Sequence, residues 1–546
     1  MKISLAQINP TVGDIKANYK LIVKHAKIAL GENSEILITP ELSICGYPPE
    51  DLLLNNDFVD ECNKSLLKIA KKFPKLRIIV GHPRNVKGLL FNSASILYKG
   101  KIEKTYDKQT LPNYGVFDEK RYFNPGSKSV TFTHKGKKFG LLICEDIWIP
   151  GPAEELISKK VDYIICINAS PYEIDKQKGR FSQLEKRFIA LGKSKIIYVN
   201  LVGGQDDLLF DGGSFIFHNP EGLIDFLGEF ECENKLIDLK LTENLDLDIR
   251  QRHQGESIGP KWNSSNRYHI LLKGLILSVK DYLRKNSIKK IFIGLSGGID
   301  SAVVLYIASE AIKKENITAI MMPSTFTSKA SLEDAKTLAE NLGVTYKVNA
   351  IEPLMKTFNE SLAKDFKGLK NDITEENIQA RIRGVLLMAY ANKFNGIVLA
   401  TSNKSEVAVG YSTVYGDMVG GFSVLKDVPK TMVYKIAERI NDLNEIIPKR
   451  IITRPPTAEL SKNQTDQDNL PDYAVLDAII DLYIEKNKSI KMIINEGYSA
   501  QVVKKVIKLI HMNEFKRRQA APGPKVTSKA FGKDRRYPIT SKYKPF

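Results

Sequence analysis

Three side chains in the first half of the sequence could do chemistry together. Glu41 lies in ITPELSICGYPPEDL, Lys108 in YDKQTLPNYGVFDEKRYF and Cys144 in GLLICEDIW, each at the end of an expected strand. Taken singly they are unremarkable: such a cysteine is usually only packed, a Glu beside Pro is usually a turn residue, and a loop lysine is usually solvated. Together they supply a nucleophile, a base and a cation. An ordinary thiol titrates at about 8.5 and is only a few per cent thiolate near neutrality. Cys144 therefore needs a base or a nearby positive charge to attack anything. The seven histidines stand in no recognisable cysteine-protease context. A Glu base, with a Lys to stabilise a tetrahedral oxyanion, meets the need.

The second half carries LSGGIDSA, Leu295–Ala302, between a β-rich run and a helical one. Gly294, Leu295, Ser296, Gly297, Gly298, Ile299, Asp300 and Ser301 make a small-residue turn. Its backbone N–H groups and the following helix N-terminus form an anion cradle suited to phosphate. Asp300 is out of place beside phosphate unless a divalent cation sits between them, and Mg²⁺ binds through one or two carboxylates plus phosphate oxygens. Alternatively Asp300 is a helix cap. The lysine of a GxxxxGK[ST] loop is absent, so this is a different phosphate loop.

Two α/β regions must position these groups. Strand patterns are expected at Lys2–Ile8, Ile36–Thr39, Arg77–Gly81, Ser93–Tyr98, Phe139–Cys144, Tyr163–Asn168 and Ile196–Asn200, with helices at Asn18–Leu30 and Val59–Lys72 between them. Ser93–Tyr98 and Lys101–Asp107 flank a short Gly turn, so a hairpin in a mixed sheet is expected. The polar, aperiodic stretch 246–268 reads as a connection between domains 1–245 and 269–546. Beyond it, strands and helices alternate from Lys290 to Ala400, which implies a parallel sheet with ligands beyond its carboxyl ends.

Composition sets outer limits. A chain of 546 residues, 43% hydrophobic and 26% charged, can bury more than one core. No long uncharged apolar run reads as a membrane span, and MKISLAQINP begins as a strand rather than a signal peptide. Five cysteines, with no CxxC pair, argue against a disulfide scaffold or zinc ribbon and fit a reducing cytoplasm. The net charge of +18 reads as a lysine-rich surface or as a match for anionic partners. Its densest part is Lys516, Arg517, Arg518, Lys525, Lys529, Lys533, Arg535 and Arg536.

Over roughly residues 1–240 the motifs around Glu41, Lys108 and Cys144 resemble the nitrilase/amidase superfamily. The resemblance implies a four-layer α-β-β-α sandwich. It makes Glu41 the general base, Cys144 the nucleophile, Lys108 the transition-state cation and Glu119 an accompanying carboxylate. NASPYEIDK (Asn168–Lys176) and GGQDDLLFDGGS (Gly203–Ser214) are similar to the glutaminase domain of NAD synthetases, which implies glutamine contacts at Tyr114, Ser170 and Lys176. Read without the resemblance, Lys176 is a solvated lysine.

SGGIDS resembles the loop of the PP-loop ATP pyrophosphatases, an adenine nucleotide alpha hydrolase-like fold that splits ATP to AMP and pyrophosphate. NIQARIRG (Asn377–Gly384), ATSNKSEVAVGYSTVYGD (Ala400–Asp417), DQDNLPDYAVLD (Asp466–Asp477) and the stretch from Asn513 to Ile539 resemble NAD synthetases. The resemblance implies ATP contacts at residues 294–301, Thr401 and Lys430, and deamido-NAD contacts at Asn377, Glu406 and Lys516. Mg²⁺ would sit on Asp300, with Glu406 either a second ligand or a deamido-NAD contact. The chain departs from the pattern at Gly420 and Gly421, where familiar members often carry an acidic residue.

The implied activity is amidation of deamido-NAD with ATP and ammonia from glutamine, conducted through protein, by a homo-oligomer in the cytoplasm. Polyanionic substrates then account for the basic tail, and nucleic acid is not needed to explain it. Three rivals stay open: a PP-loop amidotransferase for another acceptor, a tRNA-modifying enzyme, and an inactive first domain whose partner uses free ammonia.

Overall fold

Alternation along Lys2–Gln7 sends Ile3 and Leu5 into one core and Ala6 into another, all fully buried. Only a sheet covered on both faces allows this. In the computed structural model, which describes residues 1–188, 194–218, 222–240, 264–462 and 464–543, this strand belongs to a six-stranded sheet. Its order is Glu233–Asp238, Lys2–Gln7, Ile36–Ile38, Arg77–Val86, Leu89–Tyr98, Lys101–Asp107. The second, third and fourth strands are parallel and the outer pairings antiparallel.

A second six-stranded sheet repeats the scheme: Gly222–Phe226, Phe215–His218, Lys195–Asn200, Tyr163–Asn168, Lys137–Ile143, Thr131–His134. Its three parallel strands are Lys195–Asn200, Tyr163–Asn168 and Lys137–Ile143. Both sheets contribute to one apolar core, with Ile3, Leu5, Ile79 and Ile96 from the first and Phe139, Ile165 and Ile197 from the second. The other face of the first sheet is covered by Ile22 and Ala26 of helix Ile15–Gly31 and by Leu66 and Ile69 of helix Asn56–Lys72. Helices Pro152–Ser158 and Lys176–Phe188 pack on the second sheet through Leu156 and Leu184. The result is the expected α-β-β-α sandwich. The hairpin turn after Tyr98 uses Lys99 at φ 52° and Gly100 at φ 77°, the left-handed pair that a tight turn matched to strand twist requires.

Contacts divide the chain into units Met1–Asn263 and Ser264–Phe546. The second unit holds an all-parallel sheet ordered Thr345–Val348, Ile317–Met321, Ile291–Gly294, Ile397–Ala400, Phe422–Ser423. Chain order reverses between Ile291–Gly294 and Ile397–Ala400, the crevice where such sheets bind ligands. Helix Ile299–Ala311 starts directly after the first of these strands. Most of the expected 246–268 connection lies outside the described residues, but its last five are already helical in Ser264–Lys285. Ser and Asn suggest a loop by composition, yet they also favour helix starts. A helical lobe from Tyr473 to Met512, with Leu476, Ile480, Val503 and Ile507 at its centre, was not expected from the sequence.

Candidate active sites

In the first unit, three turns bring four reactive side chains together. Glu41 follows strand Ile36–Ile38 and is fully buried. It can lie there because Gly81 of the neighbouring strand has no side chain: a Cβ would come within 2.4 Å of Leu42 N and 2.6 Å of Pro40 O. Lys108 follows strand Lys101–Asp107, its N–H bonded to Asn92 O at 2.8 Å. Cys144 ends strand Lys137–Ile143 with φ 48° and opens a short 3-10 turn, Cys144–Ile147. A left-handed non-glycine residue between strand and turn is a strained elbow of the kind that collects at functional sites.

The Lys108 ammonium donates to Glu41 Oε1 at 2.7 Å and to Glu119 Oε1 at 2.8 Å. Asn92 Nδ2 also donates to Glu41 Oε1 at 2.7 Å, and Ala169 N–H donates to Oε2 at 2.8 Å. Tyr47 OH donates to Glu119 Oε1 at 2.9 Å. Burial works against the Lys108 charge, but Glu119 and Glu41 outweigh it and hold its pKa well above the ordinary value. Burial, joined by the Glu41 charge, pushes the Cys144 thiol up, only partly opposed by Lys108. The resting sulfur is a thiol, so a base must act at the moment of attack.

Asp146, two residues past Cys144, joins the elbow to the lysine loop. Its Oδ1 accepts from Thr110 N at 2.7 Å and its Oδ2 from Tyr106 OH at 2.8 Å and Ile143 N at 3.2 Å.

Of the expected glutamine contacts, Tyr114 is exposed and donates to both oxygens of Glu145, beside Cys144, at 3.0 Å. Ser170 is buried just past strand Tyr163–Asn168. Lys176 is half-buried, donates to Pro171 O at 2.8 Å and lies 3.6 Å from Glu173.

In the second unit, a cleft of about 1540 Å³, open mouth included, lies at the carboxyl ends of the parallel strands. Gly294, Leu295, Ser296, Gly298, Ile299, Asp300 and Ser301 line it, with Thr401, Glu406 and Lys430. Gly297 instead turns at φ 77° against Ser331, whose carbonyl oxygen would be 2.5 Å from a Cβ. Ser301 Oγ donates to Gly298 O at 2.9 Å, and Arg454 Nη2 donates to Gly297 O at 2.9 Å.

Lys430 Nζ lies between two carboxylates, bonded to Asp300 Oδ2 and, at 3.2 Å, to Glu406 Oε1. Asn403 Nδ2 holds Asp300 Oδ1 at 2.9 Å, while its own side chain caps helix Lys404–Val409 by accepting from Glu406 N at 3.1 Å. Burial, with Asp300 and Asp466 nearby, raises Glu406 to about 8 although Lys430 opposes this. Two carboxylates converging on a cation beside a phosphate-type loop fit the oxygen donors that Mg²⁺ takes.

Asn377, on helix Ile373–Phe394, and Lys516, on the short helix Glu514–Arg517, are elsewhere and bond to the loop after Val409. Asn377 Oδ1 accepts from Thr413 Oγ1 at 2.8 Å; Lys516 Nζ donates to Gly410 O at 2.8 Å and Ser412 O at 2.7 Å. Neither lines the cleft, though Tyr411 and Asp417 of that loop do. The basic tail also differs from expectation. Arg517, Arg518 and Arg535 share Glu514, and Lys525 and Lys529 bond within the fold, so much of its charge holds the tail in place.

Residues 2–224 match the carbon-nitrogen hydrolase family and residues 271–520 the NAD synthase family. Glutamine-dependent NAD(+) synthetase from Acinetobacter baylyi is 43% identical over 547 residues, covering 100% of this chain and 99% of that one. The Thermotoga maritima enzyme is 42% identical over 576 residues, again covering 100% and 99%. The solved Acinetobacter baumannii glutamine-dependent NAD+ synthetase, in complex with adenosine diphosphate, is 40% identical, with a TM-score of 0.77 over 98% of each chain.

The chain belongs to the glutamine-dependent NAD(+) synthetases. It is a ligase joining the family's two parts, a carbon-nitrogen hydrolase and an NAD synthase. Its sequence left some site residues of this synthetase unnoticed. Asn403 and Glu406 form an N-x-x-E capping box that could have been read directly. Asn92, Tyr47 and Arg454 carry no local signal, because each reaches its partner only through the tertiary fold.

Proposed function

We propose that this synthetase amidates deamido-NAD to NAD, with glutamine cleaved in the first unit and ATP consumed in the second. The observation that carries the reading is one buried ammonium, Lys108, held by Glu41 and Glu119 beside a raised thiol at a strained elbow.

Cys144 Sγ attacks the glutamine side-chain carbonyl carbon as Glu41 takes the thiol proton. Lys108 stabilises the oxyanion, which forms in a site that excludes water. Glu41 returns the proton to the departing nitrogen, ammonia leaves, and a glutamyl thioester remains. Water, deprotonated by Glu41, cleaves the thioester and releases glutamate. Tyr114, Ser170 and Lys176 would orient the glutamine α-amino and α-carboxylate groups.

In the second unit, residues 294–301 and Thr401 would hold ATP with its phosphates at the loop. Asp300 and Glu406 would hold Mg²⁺, which supplies charge neutralisation at the phosphates. The ADP complex of the Acinetobacter baumannii relative supports an adenine nucleotide as ligand. The nicotinate carboxylate of deamido-NAD attacks the α-phosphorus, pyrophosphate leaves, and a mixed anhydride with AMP forms. Ammonia attacks its carbonyl, AMP leaves, and the product is the amide. Ammonium has no lone pair to attack with, which gives a reason to make ammonia within the protein. Asn377 and Lys516 would act on deamido-NAD from the two helices that hold the loop after Val409.

No described helix is long and apolar enough to cross a membrane.

The test incubates protein with deamido-NAD and Mg·ATP and measures NAD formed from glutamine or ammonium. Wild type should use both and Cys144→Ala only ammonium. ATP cleavage to AMP without NAD from either source would refute the acceptor.

A further inference from the structure

Behind the amidase residues lies a buried ion pair that the chemistry above does not use. Arg180, on helix Lys176–Phe188, and Asp211, at the end of strand Leu208–Asp211, are 3% and 0% exposed. They bond in fork geometry: Nη1 to Oδ2 at 2.7 Å and Nη2 to Oδ1 at 3.1 Å.

The pair is tied to one short segment. Arg180 Nη2 also donates to the carbonyl and the hydroxyl of Ser170, at 3.2 and 3.1 Å. Asn200 closes the ring: its Nδ2 donates to Asp211 Oδ1 at 3.0 Å and Ser170 O at 3.3 Å, and its Oδ1 accepts from Ser170 N at 2.9 Å. Both backbone groups of Ser170 are thus held by this cluster. The preceding residue, Ala169, points its N–H at Glu41 Oε2, the oxygen that neither Lys108 nor Asn92 takes.

Stability alone is a poor reason for such a pair. Taking two charges out of water costs about as much as their attraction returns, and apolar residues of similar volume are often as stable or more so. What apolar residues could not do is hold the Ser170 peptide by its oxygen. Resting on the reading of Glu41 as base, we infer that Arg180 and Asp211 are positioning residues for the amidase. They fix Ser170 and, through the adjoining Ala169 N–H, the aim of Glu41 at Cys144.

The test is the full-length double variant Arg180→Met/Asp211→Leu, which removes both charges together. Removing one alone would strand the other, unpaired, in the core. Four readouts are taken: unfolding temperature, kcat and KM for glutamine against pH, NAD formation from ammonium, and the pH dependence of Cys144 alkylation by iodoacetamide. The variant should fold, lose about 10²-fold in kcat with glutamine, as expected for a misaligned base, and alkylate with an altered pH profile. NAD formation from ammonium should be unchanged. Unchanged kcat and alkylation in a folded variant would overturn the inference, as would a rise in KM alone. If the double variant does not fold, Arg180→Lys decides: it keeps the charge but not the fork, so kcat should still fall, and wild-type kcat and alkylation would refute the role. Glu41→Gln is assayed alongside. If Glu41→Gln keeps full glutamine turnover, the base assignment itself fails; if it is inactive while the double variant is not, only the positioning role fails.

Discussion

Lys108 and Glu119 share a hydrogen bond of 2.8 Å in a site closed to solvent, and each changes what the other can be. Burial raises the Glu119 carboxyl to about 7; Lys108 pulls it down and Glu41 pushes it up. A carboxyl with a raised folded pKa binds its proton more tightly in the native state. Its contribution to stability is therefore fully present below about 4.5 and is lost as pH rises to about 7. Glu119→Gln cannot titrate. The unfolding temperature of wild type relative to Glu119→Gln should fall across that window and level off above it. A difference that rises with pH would contradict the assignment.

Much of the fold was legible because its signals are local. Strand Tyr163–Asn168 is legible to the residue, and the PP-loop turn follows from small residues before a helix. Glu41, Lys108 and Cys144 each stood out as lying at the end of an expected strand. What was not legible was long-range. Asp146 touches residues 36 and 40 positions away, Asn403 reaches Asp300 across 103, and Arg180 reaches Asp211 across 31. The tail shows the same limit: charge density is visible in sequence, but Glu514 as the common partner of Arg517, Arg518 and Arg535 is not.

Glu41→Ala removes the acceptor of three hydrogen bonds, a carboxylate held by both Lys108 and Ala169. Glutamine-driven NAD formation should drop about 10²–10⁴-fold, the usual worth of a general base. Ammonium-driven formation should stay at the wild-type rate, because the second unit is untouched. Steady-state assays with each nitrogen source check both halves, and normal glutamine turnover in the variant would sink the base assignment.

Asp300→Ala should have a different pattern. Asp300 accepts from Asn403 and Lys430, and both nitrogen sources depend on the adenylation in its cleft. NAD and AMP should both disappear with glutamine and with ammonium, while glutamate release from glutamine persists in the first unit. Retained synthesis from ammonium would remove Asp300 from the phosphate site.

Gly81→Ala tests whether the amidase depends on a close backbone approach. The added methyl carbon would lie 2.4 Å from Leu42 N, 2.6 Å from Pro40 O and 2.8 Å from Glu41 C, all main-chain atoms that cannot rotate away. Either strand Arg77–Val86 shifts outward or the turn carrying Glu41 does. The first costs strand-to-turn bonds such as Ile44 N to Gly81 O at 3.2 Å; the second moves the carboxylate off Lys108 and Ala169. Overpacking of this kind costs about 1–3 kcal/mol, and a shift near 1 Å in a catalytic group costs about 10²-fold in rate. The expected result is a folded protein with a lowered unfolding temperature, a glutamine-driven kcat down by that factor and an unaltered rate with ammonium. A variant that melts lower but keeps its glutamine kcat would show that the turn can yield without moving Glu41.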